Sequence, residues 1–128
     1  MEQAKLMDTH VQLRRIYNLL GNVLDLTQQM AEAVDRNDSV SAEMLLSMRG
    51  EPLRQIMQAR EAIERQLEAA LPQDREYLRG LLNGASASGA LEKSLADQVA
   101  MNGRLLKQVQ ELDKALNLKM TREQSVYR

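Results

Sequence analysis

The chain has 128 residues, enough for one domain, and it contains no Phe, no Trp and three Tyr. Such a composition favours helices that pack side by side, because aliphatic side chains alone can fill their core. The net charge of −1 argues against nucleic acid as a partner, since binding to a phosphate backbone requires a cationic surface. Cysteine is absent, which excludes disulfides and thiolate chemistry.

The N-terminal sequence does not have the pattern of a signal peptide, because no positively charged region leads into an apolar one. No apolar run reaches the roughly 20 residues that a membrane-spanning helix needs. We therefore expect a soluble, cytoplasmic protein without membrane insertion.

The first predicted element is a helix over residues 3–36, in which apolar side chains recur at alternating spacings of three and four. The a and d positions of this heptad pattern are Leu6, Thr9, Leu13, Ile16, Leu20, Val23, Thr27, Met30 and Val34. A stripe of this kind must be buried against another helix. A polar break follows at residues 35–39, whose Asn, Asp and Ser side chains suit the N-cap of the next helix.

The second predicted helix begins at Ser39 or Ser41 and is ended by Pro72. Its apolar stripe reads Leu45, Met48, Leu53, Ile56, Ile63, Leu67 and Leu71. Gly50 and Pro52 interrupt the stripe, so either two helices or one bent helix is possible. Apolar residues stay in phase across the proline, which favours one helix that bends at residues 49–52.

A short helix is predicted over residues 74–83, followed by a left-handed stop at Asn83-Gly84 and a flexible linker at residues 84–90. The last helix is predicted over residues 90–120, with a frayed polar tail at residues 121–128. Its heptad stripe reads Leu91, Leu95, Val99, Asn102, Leu106, Val109, Leu112 and Leu116.

The predicted fold is therefore all-α: an elongated antiparallel helical bundle of three long helices plus one short helix, forming a single domain over residues 1–120. A homodimer that completes a larger bundle is an open alternative.

Catalysis and metal binding find little support in the sequence. His10 is the only histidine and lies at the margin of the first stripe, with no nucleophile or orienting carboxylate placed beside it by spacing. A Glu-x-x-His motif for a metal in a helical core is absent, and the glycines fit no phosphate-binding loop. We expect a protein that is not an enzyme, with no catalytic residues, no metal and no cofactor.

Asn102 is unusual because a polar residue occupies the apolar stripe of the last helix. It either fixes the register of packed helices at some cost in stability or donates a hydrogen bond to a partner helix. The eight methionines also have two interpretations, as core residues or as an adaptable binding surface. Met101 and Met120 favour the second, because no predicted element follows to cover the last helix.

Several sequence features resemble the FlgN-type flagellar export chaperones. They are the polar turn at residues 35–39, the segments Arg49-Gly-Glu-Pro-Leu53 and Asn102-Gly-Arg-Leu-Leu106, and Tyr127 near the C-terminus. The resemblance implies a cytoplasmic chaperone that binds the C-terminal amphipathic segment of hook–filament junction proteins before type III secretion. It also places a functional tyrosine in the tail, so Tyr127 is the predicted contact with the flagellar export gate.

The predicted client-binding surface lies on the last helix, because its apolar residues cover more than one stripe. It consists of Met101, Asn102, Leu105, Leu106, Val109, Leu112, Leu116 and Met120. A client segment that is disordered alone would fold onto this surface as a helix. The alternative function is a coiled-coil structural or adaptor protein whose apolar stripes serve self-association.

Overall fold

The computed structural model describes residues 1–126, with side chains up to residue 122, and within that part the chain forms four helices and no strand. The helices are α1 (Gln3–Asp35), α2 (Ser39–Ala69), α3 (Pro72–Leu82) and α4 (Ala90–Val126). This confirms the predicted all-α class and the predicted sequence of long, long, short and long helices.

The turn between α1 and α2 forms as its polar residues predict. Asn37 has a positive φ of 58°, a conformation that Asn tolerates better than most residues. Asp38 then caps α2, because its Oδ1 accepts a hydrogen bond from the backbone N–H of Ser41 at 3.0 Å. The Ser41 hydroxyl and backbone N–H both bond this carboxylate, and they lower the pKa of Asp38 below its ordinary value.

The second helix passes through Pro52 without a break, as the in-phase stripe predicts. Its predicted bend at residues 49–52 stays a prediction. The C-terminal end of α2 is held by Arg75, whose Nε donates to the carbonyl of Leu67 at 2.9 Å. This side chain therefore supplies a donor to the last turn of α2, where carbonyl groups lack partners within the helix.

The short helix α3 begins at Pro72, two residues before its predicted start. Proline suits the first turn of a helix because the N–H that it lacks would have no partner there. The helix ends before Gly84, which has a φ of 94° as the predicted left-handed stop requires. Leu78 and Leu81 are fully buried, so α3 packs against the other helices.

The predicted end of the last helix at Met120 is too early, because α4 continues to Val126. Residues 121–126 contain neither glycine nor proline, so the end of the apolar stripe is not a stop signal for the backbone. The hydroxyl of Thr121 donates to the carbonyl of Asn117, one turn earlier, at 2.8 Å.

Helices α1 and α2 pack against each other in opposite directions. Near one end, the Thr9 hydroxyl donates to Gln66 Oε1 at 2.9 Å. Near the other end, Arg49 donates to the Thr27 hydroxyl at 3.1 Å. The beginning of α1 therefore contacts the end of α2, and the later part of α1 contacts the first half of α2, so the two helices are antiparallel. These bonds also satisfy the two threonines that occupy the apolar stripe of α1.

Helix α4 packs on another side of α1 and runs parallel to it. Asn102 contacts the carbonyl of Leu13, and Lys119 forms an ion pair with Asp35 farther along both helices. Helix α1 is thus the central helix. In the described residues, no Cα atom of α2 lies within 8 Å of a Cα atom of α4.

A candidate partner-binding cleft between α2 and α4

An apolar cleft of about 600 Å³ separates α2 from α4, with α1 as its floor. The floor consists of Leu13, Ile16 and Leu20. The wall from α4 consists of Asn102, Gly103 and Leu106. Arg79, Leu82 and Asn83, from α3 and its C-terminal end, also line the cleft. The wall from α2 consists of Ile56, Met57, Arg60, Glu61, Ile63, Glu64 and Leu67. The cleft exists because both outer helices pack on α1 and neither packs closely on the other.

Two charge pairs lie in or near this cleft. Arg79 of α3 and Glu64 of α2 both line it and lie 3.4 Å apart. Arg49 of α2 donates to Asp113 of α4 at 2.8 Å, about two turns beyond the lining residues. The α2 residues that line the cleft run from Ile56 to Leu67, a length of about 16 Å at 1.5 Å per residue. A helix of about three turns matches this length.

The cleft carries uncovered apolar surface on both of its walls. Met57 of α2 is 62% exposed and Leu106 of α4 is 42% exposed. Single exposed apolar residues are common, but these two face the same apolar floor across one cleft. A partner that covered both would bury apolar area from two helices at once, and such burial favours binding.

The structure separates the eight predicted client-binding residues. Asn102, Val109 and Leu116 are buried because they face α1, whereas Leu106 of the same predicted stripe is 42% exposed. The expected exposure of Asn102, Val109 and Leu116 is therefore wrong, although Asn102 also lines the cleft. Their role in client binding stays a prediction. A charge at Val109 or Leu116 would be placed in the core and would destabilise the fold itself.

The other five predicted residues do not form one surface either. Leu106 faces the cleft, whereas Leu105 packs partly against the core on the other side of the α1-facing stripe. Met101 and Leu112 share the side of Leu105, because spacings of four and seven residues fall on one helix face. Met120 packs against a smaller buried cluster near the end of α1. A helix in the cleft would therefore contact Leu106 and not Met101.

Asn102 has both of its polar groups engaged within the chain. Its Nδ2 donates to the carbonyl of Leu13 at 2.8 Å, and its Oδ1 accepts from Gln98 Nε2 at 2.9 Å. These bonds fit the first interpretation, in which Asn102 fixes the register of α4 on α1. One N–H of its amide and its amide oxygen are thus used within the chain.

The sequence-based reasoning missed the α2 wall of the cleft. Met57 follows the buried Ile56, and Arg60 lies one turn farther on. Met57 lies just outside the apolar stripe, so an exposed methionine beside a buried stripe was the available signal.

The predicted gate contact, Tyr127, lies outside the described residues. His10 is half-buried at the margin of the α1 stripe, where it was predicted.

The part of the chain that the structure describes contains no group of three or more His, Asp or Glu residues placed to hold a metal ion. None of its helices is long and apolar enough to cross a membrane. In comparisons with known proteins, no family model, no curated protein and no solved structure matches this chain.

Proposed function

We propose that this chain is a cytoplasmic flagellar export chaperone, built as an elongated antiparallel helical bundle. In this proposal it binds the C-terminal amphipathic segment of hook–filament junction proteins before type III secretion. The observation that carries the proposal is the open apolar cleft between α2 and α4, with exposed apolar side chains on both walls. An amphipathic segment can complete such a cleft by laying its apolar face onto α1.

The proposed activity requires binding and release but no chemical step. A segment that is disordered alone loses conformational entropy when it folds onto the cleft, and this cost lowers its affinity. Moderate affinity suits a chaperone, because the client must be released for export. The resemblance to FlgN-type chaperones supplies the identity of the client.

Self-association is the alternative, and a second group of exposed residues favours it. Val40, Met44 and Met48 are exposed on α2 and recur every four residues, so they share one face. None of them lines the cleft. Light scattering on the purified chain distinguishes the two functions, since an adaptor is a dimer without client and a chaperone of this kind takes up one client segment.

Tyr127 is proposed as the contact with the export gate rather than with the client. An aromatic ring with few rotatable bonds is an efficient anchor for transient docking. In this proposal, Tyr127→Ala leaves client binding unchanged and reduces secretion of the client. Normal secretion by the variant would remove the tail from the scheme.

The direct test is co-expression of this chain with the hook–filament junction proteins of the same organism, each made with and without its C-terminal segment. The proposal expects co-purification of the complete proteins and loss of the complex when that segment is removed. Deleting this chain should reduce junction proteins in the secreted fraction while hook protein is still exported. Equal capture of complete and truncated junction proteins would refute the proposal.

A further inference from the structure

We infer that, in the absence of a client, two copies of this chain pair through one face of α2 as an antiparallel dimer. The face is a row of six exposed residues, which we call the pairing stripe: Glu43, Leu46, Gly50, Leu53, Met57 and Arg60. It lies on the flank of α2 that borders the cleft, since Met57 and Arg60 also line the cleft. The occupant is a second copy of the chain, so the inference goes beyond the proposed function and its client.

The pairing stripe is an apolar surface that the described part of the chain leaves uncovered. Its residues are spaced by three, four, three, four and three, which places them on one helix face. Leu46 is 50% exposed, Leu53 is 42% exposed and Met57 is 62% exposed. An apolar row with this heptad spacing is suited to pack against another helix.

The spacing of the stripe is the same in both directions, with its centre between Gly50 and Leu53. A second copy that runs antiparallel across this centre places its Met57 opposite Leu46 and its Leu53 opposite Gly50. Two-fold symmetry repeats each contact, as in the isologous interfaces of dimers. Every apolar residue of the stripe thus faces an apolar residue or glycine of the other copy.

The charges at the two ends of the stripe favour this direction. The same alignment places Glu43 opposite Arg60 of the second copy, so the dimer gains one ion pair at each end. Neither residue forms an ion pair within the described part of the chain, and a guanidinium can bind a carboxylate through two parallel hydrogen bonds. A parallel pair would instead place like charges opposite each other at both ends, which is unfavourable.

The acidic residues that follow Arg60 are compatible with this alignment. Glu64 lies 3.4 Å from Arg79 of the same copy, and its position in α2 comes opposite Ser39 of the second copy. Glu61 comes opposite Ala42 of the second copy. Neither carboxylate is therefore placed opposite another acidic residue.

Gly50 gives the second copy room to approach closely. A Cβ atom at this position would meet nothing within 4 Å, so no packing within the chain requires glycine there. Glycine inside a helix lowers stability relative to alanine. Its lack of a side chain leaves the backbone of α2 open at the centre of the stripe, where Leu53 of the second copy can lie against it.

Pairing and client binding use overlapping surfaces. Met57 and Arg60 belong both to the pairing stripe and to the α2 wall of the cleft, so a second copy covers part of the wall onto which a client would dock. A dimer of the free chain is thus expected for a chaperone as well as for an adaptor. Uptake of a client segment still distinguishes the two functions.

The first test measures the dissociation constant of the dimer by analytical ultracentrifugation of the complete chain. Leu46→Glu should raise this constant about tenfold or more, because the new carboxylate would be buried against Met57 of the second copy. Met44→Glu is the matched control, since Met44 lies in the same turn of α2 and is 58% exposed but falls outside the stripe. It should leave the constant unchanged. Circular dichroism checks that each variant keeps its helical content.

The second test exchanges the charges at the ends of the stripe. Glu43→Arg and Arg60→Glu each place like charges opposite each other twice in their own dimer. Each variant should therefore dimerise about fivefold or more weakly than the wild type, because partly exposed charge pairs contribute modestly. A heterodimer of the two variants restores both ion pairs, so mixing them should recover an affinity close to that of the wild type. Raising the salt concentration should narrow these differences.

Three results would overturn the inference. The first is a wild-type chain that stays monomeric at the highest concentration at which it is soluble. The second is a dimer that Met44→Glu weakens as much as Leu46→Glu does, since another face of α2 would then pair. The third is a mixture of Glu43→Arg and Arg60→Glu that dimerises no better than either variant alone. The proposed function is tested separately, by co-purification with the junction proteins, and does not depend on these results.

Discussion

The ion pair of Arg49 and Asp113 gives the sharpest test of how the two outer helices are held. Among the described residues, it is the one side-chain hydrogen bond or ion pair that joins α2 to α4. The two side chains differ in exposure, at 14% for Arg49 and 37% for Asp113. The Nε atom of Arg49 is buried and has no hydrogen-bond partner in the described part of the chain. The pair is therefore asymmetric, and its two ends should respond differently to truncation.

Asp113→Ala leaves the mostly buried guanidinium with only the Thr27 hydroxyl as acceptor. Removing one partner of a fully buried pair costs about 3–5 kcal/mol, and the partial exposure here reduces the expected loss to about 1–2 kcal/mol. Arg49→Met keeps an apolar stem of similar length, removes the buried Nε and leaves a carboxylate that water can reach. We expect this variant to lose less than about 1 kcal/mol.

Urea denaturation of the wild type, both single variants and the double variant measures these free energies of unfolding. We expect Asp113→Ala to be the more destabilised single variant. The double variant should be close to Arg49→Met, since no cation remains to be left unpaired. The reasoning is refuted if the free energy of unfolding of Arg49→Met is lower than that of Asp113→Ala by about 1 kcal/mol or more. The hydrogen bonds of the guanidinium would then contribute more to stability than its desolvation costs.

Three further predictions concern single residues. Asn102→Asp should lower the melting temperature at pH 7, because the new buried carboxylate would face the Leu13 carbonyl. This environment should raise the pKa of the carboxyl group, so the melting temperature should recover as the pH falls. Thermal melts between pH 4 and 7 measure both effects. Leu116→Ala, at a buried site, should lose about 2–5 kcal/mol, whereas Leu106→Ala should lose less than about 1 kcal/mol in the same urea titration. Asp38→Asn should keep the cap of α2 but lose part of the acid sensitivity of the melting temperature. The lowered pKa of Asp38 means that its contribution is present above the unfolded pKa and is lost as the pH falls through the folded value.

The central helix was the most predictable part of the fold. Every a and d position of α1, from Leu6 to Val34, is buried, because α2 and α4 cover that helix from two sides. A heptad pattern predicts burial well where a helix has neighbours along its whole length. The turn at Asp38 and the stop at Gly84 were equally predictable, since both follow from local backbone chemistry.

The outer helix α2 was less predictable. Its predicted stripe included Met48 and Leu53, and both are exposed. Leu71, the last residue of the predicted stripe, lies beyond the end of α2 at Ala69. Only one face of α2 packs on α1, and α4 does not approach it closely. Apolar residues beside the buried face therefore stay uncovered. Sequence periodicity gives the direction of the apolar stripe, but its buried width depends on the number of neighbouring helices, which is a property of the tertiary structure.

The cleft was unpredictable for the same reason, and it links stability to binding. A space between two helices cannot be inferred from the pattern of either helix alone. Helix α4 packs on α1 through Asn102, Val109 and Leu116. Its less buried apolar residues divide between two flanks, with Leu106 on one and Leu105 on the other.

On the flank that faces α2, α1 forms a floor and α2 a second wall, so one bound helix can contact three helices of the chain there. The side-chain bond between Arg49 of α2 and Asp113 of α4 lies beyond the residues that line the cleft. The cleft itself is held open by the separate packing of each helix on α1. A helix bound in the middle would supply the missing contact between α2 and α4. It would therefore stabilise the folded chain, by about 2.7 kcal/mol at a free concentration of one hundred times its Kd.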